Sequence, residues 1–329
     1  VGDAMGEDFE QMENHSTQKM RTAHQKDYYR IYEQVYETPD IACSHIAANT
    51  GMAEDFVVKV MEEMYGNHIM FPPYLAMNPT STYAEYLHFL EVGNVDPVLP
   101  RLKRCPFIIS YRQCEGAWNI LVSAVQLSYF NDLAGDFCIP LYQGKRGVSV
   151  TPKCTVTGSF EITGKKGEKE SVPEQSIEWD EKGWTLYRIF GENMRRAVQP
   201  VLKEHNISYQ EYVTWRKDVD KYCSAHVTYY PLGFYNYAHR YFLMETDSGI
   251  SSLFDTWPCS CIFIEVNSYV LAHISVPADE EEKLLRLSEW LQDDLGITGF
   301  CADPLYTLQA ENPANRKTPK GGVTCERKT

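Results

Sequence analysis

The residues whose types and spacing could do chemistry fall in two places. In the first, Ser208 and Glu211 stand three apart at the head of an apolar-periodic stretch, the spacing of a capping box that opens a helix. The outward positions of that helix would carry Ser208, Tyr209, Gln210, Thr214, Arg216 and Lys217. Hydroxyl, amide and cationic groups at a helix N-terminus suit base edges and phosphates in a major groove. In the second place Tyr111, Arg112, Gly116, Trp118 and Asn119 surround the break between two β-rich runs. There a glycine admits close backbone approach, while an indole and an amide offer stacking and hydrogen bonding to a small molecule. A plain turn beside a core tryptophan accounts for the same residues.

Other reactive side chains form no constellation. No Ser/His/Asp or Cys/His set emerges, so covalent catalysis has no support and no catalytic residue is assigned. Cys259 and Cys261 are a lone close pair without a second pair at zinc spacing, and alternation along a strand explains them, so neither metal nor cofactor is expected. His226, His239 and His273 read as core or surface histidines. The runs from Gly144 to Gly147 and from Gly164 to Gly167 complete no phosphate loop and read as basic turns. The aromatic run from Tyr229 to Phe242 could stack a flat group, but reads more simply as a wing followed by a strand.

These residues need elements to position them, and the elements come in two sets. Tyr28, Ile31, Tyr32 and Val35 repeat at helical spacing, then Ile41, Ile46 and Ala47, then, after Thr50-Gly51-Met52, Phe56, Val57, Val60, Met61 and Met64. A second trio has Trp184, Leu186, Tyr187, Ile189 and Phe190, then Val198, Val201 and Leu202, then Tyr212, Trp215, Val219 and Tyr222. Each trio is followed by a β-α-β-β-α-β order. The offset of about 155 residues suits a duplicated domain pair. In the first copy the third helix would present Glu54, Asp55, Glu62 and Glu63, which would repel phosphate.

The fold expected is α+β, with two winged helix-turn-helix domains each followed by a ferredoxin-like βαββαβ effector domain. The boundaries are a disordered arm over 1–22, a first winged helix-turn-helix over 23–79 and a first effector domain over 80–162. A linker over 163–177, a second winged helix-turn-helix over 178–230, a second effector domain over 231–309 and a disordered tail over 310–329 follow.

The 329 residues carry a net charge of -14, so any nucleic-acid contact must be local rather than spread over the surface. With 43% hydrophobic residues and no long apolar run, the chain is expected to be cytoplasmic, away from membranes. The 10 cysteines are scattered and read as reduced, buried thiols.

The segment from Trp179-Asp180-Glu181 to Ile207-Ser208, with the run from Ile109 through Gly116 and Trp118, resembles the Lrp/AsnC feast/famine regulators. That resemblance implies a transcription regulator binding double-stranded operator DNA, with a small effector such as an amino acid bound between paired domains. A tandem could form a pseudo-dimer in cis, and a homo-oligomer is compatible with it. The alternatives are a sirohaem decarboxylase-like enzyme, whose strand pair Tyr111-Arg112 and Asn119 also resemble, and an interaction protein that no longer meets DNA. Against the enzyme, the longer Trp-Pro-Tyr-Asn connection of that family is missing.

Overall fold

A computed structural model describes residues 25–125, 138–155, 158, 160, 162, 165–168, 175–293 and 295–305. The expected arm and tail lie outside the described residues, as does most of the expected linker.

The first helical set comprises α1 (25–37), α2 (Cys43–Thr50) and α3 (Glu54–Gly66). Gly51 ends α2 with φ of 70°, the left-handed conformation that favours glycine. Val57, Val60, Met61 and Met64 form the buried stripe of α3, and Glu54 and Asp55 lie in its first turn, where the helix dipole favours negative charge. The second set comprises α5 (Glu181–Phe190), α6 (Val198–Glu204) and α7 (Tyr209–Tyr222). The capping box of α7 is formed, with Ser208 accepting from the Glu211 amide and Glu211 accepting from the Ser208 amide. Such a cap stabilises a helix by about 1 kcal/mol.

Each trio runs into one short strand, β1 (Tyr74–Met77) and β6 (Cys223–His226), and these pair antiparallel with Tyr74 opposite His226. The ribbon and its flanks serve both cores. Leu75 and Met77 pack into the second trio's core with Leu186, Phe190 and Trp215, whereas Val227 and Tyr229 complete the first trio's core with Tyr32, Val60 and Met64. Arg195 adds donors to the carbonyls of Pro39 and Ile41, and Arg216 pairs with Asp40 at 2.9 Å. The segments 23–79 and 178–230 thus share side chains: Leu75 and Met77 of the first lie in the second trio's core, and Val227 and Tyr229 of the second lie in the first trio's core.

The remaining strands are β2 (Tyr86–Val92), β3 (Ile108–Gly116), β4 (Ile120–Ala124), β5 (Cys138–Val150), β7 (Tyr237–Met244), β8 (Ile262–Val266), β9 (Tyr269–Pro277) and β10 (Gly299–Pro304). They close a barrel in the order β10-β3-β4-β2-β5-β8-β9-β7, with antiparallel pairs throughout. The fold is thus α+β, with an eight-stranded barrel like a pair of ferredoxin-like domains. Closure leaves the barrel itself without an edge strand.

Side-chain alternation divides the barrel into layers. Leu87, Phe89, Trp118, Leu121, Leu243 and Leu271 fill its interior. Outside, α4 (Leu99–Arg104) covers Leu90, Val92, Ile108 and Val122, while α8 (Glu282–Asp293) and the 3-10 segment Ser248–Phe254 cover Phe242, Ala272, Ile274 and Val276.

Two local expectations change. Residues Gly144 to Gly147 lie within β5 instead of forming a turn, because added Cβ atoms would come 2.7 Å from Val266 and from Glu265, so glycine lets β5 approach β8. Cys259 and Cys261 precede β8 and are both buried, with burial pushing both thiols well above their usual range. Among the described residues no group of three or more His, Cys, Asp or Glu could hold a metal, and no helix is long and apolar enough to cross a membrane.

Candidate functional site

The barrel interior is apolar at the end of the β3–β4 and β8–β9 hairpins and polar at the end facing β1 and β6. Strand alternation produces the polar end directly. Along β7 and β9, Leu243 and Leu271 face inward at the apolar end, then Tyr241 opposite His273, then His239 opposite Ser275. On β3, Cys114 faces the apolar core and Arg112, two residues earlier, falls on the same face nearer the polar mouth.

The polar groups converge. His239 lies between the Ser275 hydroxyl (Nδ1, 2.7 Å) and the Phe234 carbonyl (Nε2, 3.0 Å). A carbonyl only accepts, so Nε2 of His239 carries the proton and Nδ1 accepts from Ser275. The His273 ring lies 5.2 Å from His239 and 5.0 Å from Tyr241. Burial, reinforced by the nearby Arg112 charge, holds His239 down to about 4 and His273 well below the usual imidazole range. Both are neutral near pH 7.

Tyr74 closes the mouth from the β1–β6 ribbon, its ring stacked on His226 at 5.2 Å. Burial pushes the Tyr74 phenol up to about 12 against the opposing pull of Arg146 and Arg112, so it keeps its proton. His226 receives a hydrogen bond or gives one at Nδ1 to Thr151 (2.8 Å), and burial together with Arg146 holds it to about 3. Arg146 is itself engaged by Glu85 at 2.5 Å and Ser149 at 3.0 Å; burial opposes its charge, but Glu85 outweighs this and raises the guanidinium above its usual value. Glu85 also accepts from the Tyr83 hydroxyl at 2.8 Å. Arg112 is exposed at the mouth, with its charge acting on His239, His273 and Tyr74.

The five residues expected to bind an effector are dispersed. Arg112 alone reaches the mouth. Trp118 is fully buried in the apolar end, edge-on to Phe89 at 5.1 Å. Tyr111 faces the opposite side of β3 and packs under α4. Gly116, at φ of 139°, serves the β3–β10 seam, since an added Cβ would lie 2.8 Å from Cα of Ala302. Asn119 spends its amide on Val92, accepting from N at 2.9 Å and donating to O at 2.6 Å.

Of the six expected DNA contacts, Tyr209, Gln210, Thr214 and Lys217 are exposed on α7. The Ser208 hydroxyl is used in the cap. Arg216 bridges Asp40 and Asp220, so it acts as a fastener between the trios.

The sequence reading took His226, His239 and His273 as core or surface histidines, and their convergence was not visible there because three separate strands supply them. Their signal was the alternation Tyr237, His239, Tyr241 and Tyr269, Leu271, His273, in which polar rings occupy inward positions.

No protein-family model matches the chain, and no curated protein matches it. Among solved structures, the crystal structure of the siroheme decarboxylase NirDL aligns with TM-score 0.48 at 14% identity, covering 84% of this chain and 90% of that one. The same enzyme in co-complex with an iron-uroporphyrin III analogue aligns with TM-score 0.43 at 11% identity, covering 84% and 91%. The likeness is one of overall plan, and it carries no residue across.

Proposed function

We propose that the polar mouth of the barrel binds a carboxylate-bearing small molecule, and that the chain is an enzyme of the sirohaem decarboxylase type. The observation that carries this reading is the convergence of Arg112, His239, His273, Tyr241 and Tyr74 on one mouth above an apolar interior. Active sites are where burial and nearby charge shift several titratable groups together. A flat ring system with acidic side chains suits a mouth that offers a cation, neutral imidazoles and aromatic faces.

The chemistry follows from the protonation states. Arg112 would anchor a carboxylate that stays on the substrate. A reacting carboxylate placed among neutral His273, Tyr241 and Tyr74 would lose hydration without gaining a fixed cation, which favours departure as neutral carbon dioxide. The C–C bond breaks, its electron pair remains on the methylene carbon conjugated to the ring, and a proton completes a methyl group. Tyr74, protonated, is the donor within reach of the mouth, and neutral His273 would position the reacting carboxylate by hydrogen bonding.

The test is turnover of sirohaem followed by mass spectrometry, which should show loss of carbon dioxide by the wild type and at least about a tenfold slower loss in Tyr74→Phe, within the range for general acid catalysis. Intact sirohaem after prolonged incubation with a folded wild type would overturn the enzymatic reading.

A DNA-binding regulator is the second reading, favoured by one observation: the capped N-terminus of α7 leaves Tyr209, Gln210, Thr214 and Lys217 exposed. Under it the same mouth would hold the effector. Salt-sensitive, sequence-selective duplex binding would support it.

A further inference from the structure

Tyr74 is the first residue of β1, and its backbone is fastened on both sides. The Pro73 carbonyl accepts from the Met194 amide at 2.9 Å, and the Leu75 amide donates to the Gly191 carbonyl at 2.8 Å. These bonds fix the backbone and leave the side-chain rotors of Tyr74 to be set by its neighbours. Among the described residues the Tyr74 hydroxyl has no hydrogen-bond partner, and the one ring contact of Tyr74 is the stack on His226, with centroids 5.2 Å apart and planes 21° from parallel. The register puts the two residues directly opposite each other at the end of the ribbon, where cross-strand side chains meet.

His226 is held in turn. It is 2% exposed, its Nε2 is buried without a partner among the described residues, and its Nδ1 meets the Thr151 hydroxyl at 2.8 Å. One hydrogen bond therefore sets the plane of the imidazole. Thr151 is a fixed post for that bond, because it directly follows β5 and its segment is pinned to α1: its carbonyl accepts from the Tyr36 hydroxyl at 2.9 Å, and the Cys154 amide donates to the Tyr32 hydroxyl at 2.9 Å. Orientation thus passes from Thr151 through His226 to the Tyr74 ring.

Resting on the reading of Tyr74 as the proton donor of the mouth, we infer that His226 is a positioning residue for Tyr74, with Thr151 as its anchor. His226 touches no reacting atom. It holds the phenol ring against its own face and so keeps the unspent hydroxyl in one place, within the fields of Arg146 and Arg112. Placement matters because a shift of about 1 Å in a reacting group can cost on the order of a hundredfold in rate.

The experiment is single-turnover decarboxylation of sirohaem by the full chain, with affinity for iron uroporphyrin III read by absorption. The variants are His226→Leu, Thr151→Val, Thr151→Ser, Tyr74→Phe and the double variant Tyr74→Phe/His226→Leu. Loss of carbon dioxide should slow by about tenfold or more in His226→Leu and about threefold or more in Thr151→Val, with affinity held within about threefold, and Thr151→Ser should keep the wild-type rate within about twofold. In the Tyr74→Phe background His226→Leu should cost less than about twofold more, because a ring without its hydroxyl leaves nothing to position. Should His226→Leu fail to fold, the contrast between Thr151→Val and Thr151→Ser decides. Wild-type rates in His226→Leu and Thr151→Val, a loss confined to affinity, or losses that multiply in the double variant would overturn the inference alone. Undiminished turnover in Tyr74→Phe, or none in the wild type, would overturn the underlying reading and the inference with it.

Discussion

Tyr241 and His273 stand directly opposite each other across β7 and β9, their ring centroids 5.0 Å apart, where the other half of the barrel has Leu87 opposite Ser123. That single cross-strand pair makes the two halves of the barrel chemically different. It also separates residues that should affect ligand from residues that should affect only the fold.

Asn119 belongs to the second group. Its amide closes a two-way bond to the backbone of Val92, 2.9 Å and 2.6 Å long, at the apolar end of the barrel. Asn119→Ala should destabilise the chain by about 1–3 kcal/mol, the cost of leaving buried backbone groups unsatisfied. Urea denaturation would measure the loss, and ligand affinity per folded molecule should not move.

Gly116→Ala should be more disruptive than its size suggests. The added methyl would meet Cα of Ala302 and the Cys301 carbonyl, each 2.8 Å away, and the φ of 139° is unfavourable for any side chain. A cost of about 2 kcal/mol or more is expected from strain and overpacking together. Thermal unfolding of the variant against the wild type would read it.

Stability should fall with acid before the carboxylates titrate. Burial, as the main cause, lowers His226 to about 3 and both His88 and His239 to about 4, whereas the unfolded chain takes up these protons near the ordinary value of 6.5. Their contribution is complete above pH 6.5 and is lost as the pH falls from there toward 4 and 3, at up to about 1.4 kcal/mol per pH unit for each group. Urea midpoints at pH 7.5 and pH 5 should differ accordingly. Equal midpoints would show that the rings are accessible to protons in the native state.

Arg216 and Lys217 should behave differently despite being neighbours. Arg216 bridges Asp40 of the first trio and Asp220 of its own helix at 2.9 and 2.8 Å, whereas Lys217 is exposed. Arg216→Ala should loosen the contact between the trios, read as faster hydrogen exchange around Asp40 and in α7. If the chain meets DNA through α7, Lys217→Ala should lower the salt slope by about one phosphate contact. A fall of similar size in Arg216→Ala would mean the ion pairs open on DNA.

Much of the frame was legible in the sequence. Helical spacing located α3 and α7, the Ser208–Glu211 pair located a cap, and the β-rich runs on either side of Gly116 located β3 and β4. These signals are local, set by residues a few positions apart. The packing of β1 against the second trio was not legible, because Leu75 finds its core among residues more than a hundred positions away, beside Leu186 and Trp215.

Of the residues expected around an effector, only Arg112 falls at the polar mouth. Residues around a turn look adjacent in sequence, yet β alternation sends Tyr111 under α4, Arg112 into the mouth and Asn119 to the Val92 backbone. The partners of Arg112 come from strands joined only by closure of the barrel. That closure depends on Gly116, which looked like a ligand site because glycine signals close approach without saying what approaches.

Parallel titrations of the wild type with iron uroporphyrin III and with duplex DNA test the mouth as a carboxylate site most directly. Saturable binding of the tetrapyrrole that weakens by more than about tenfold in Arg112→Ala, with duplex binding absent at moderate salt, is the predicted result. Tight, sequence-selective duplex binding by a protein that takes up no tetrapyrrole would contradict it.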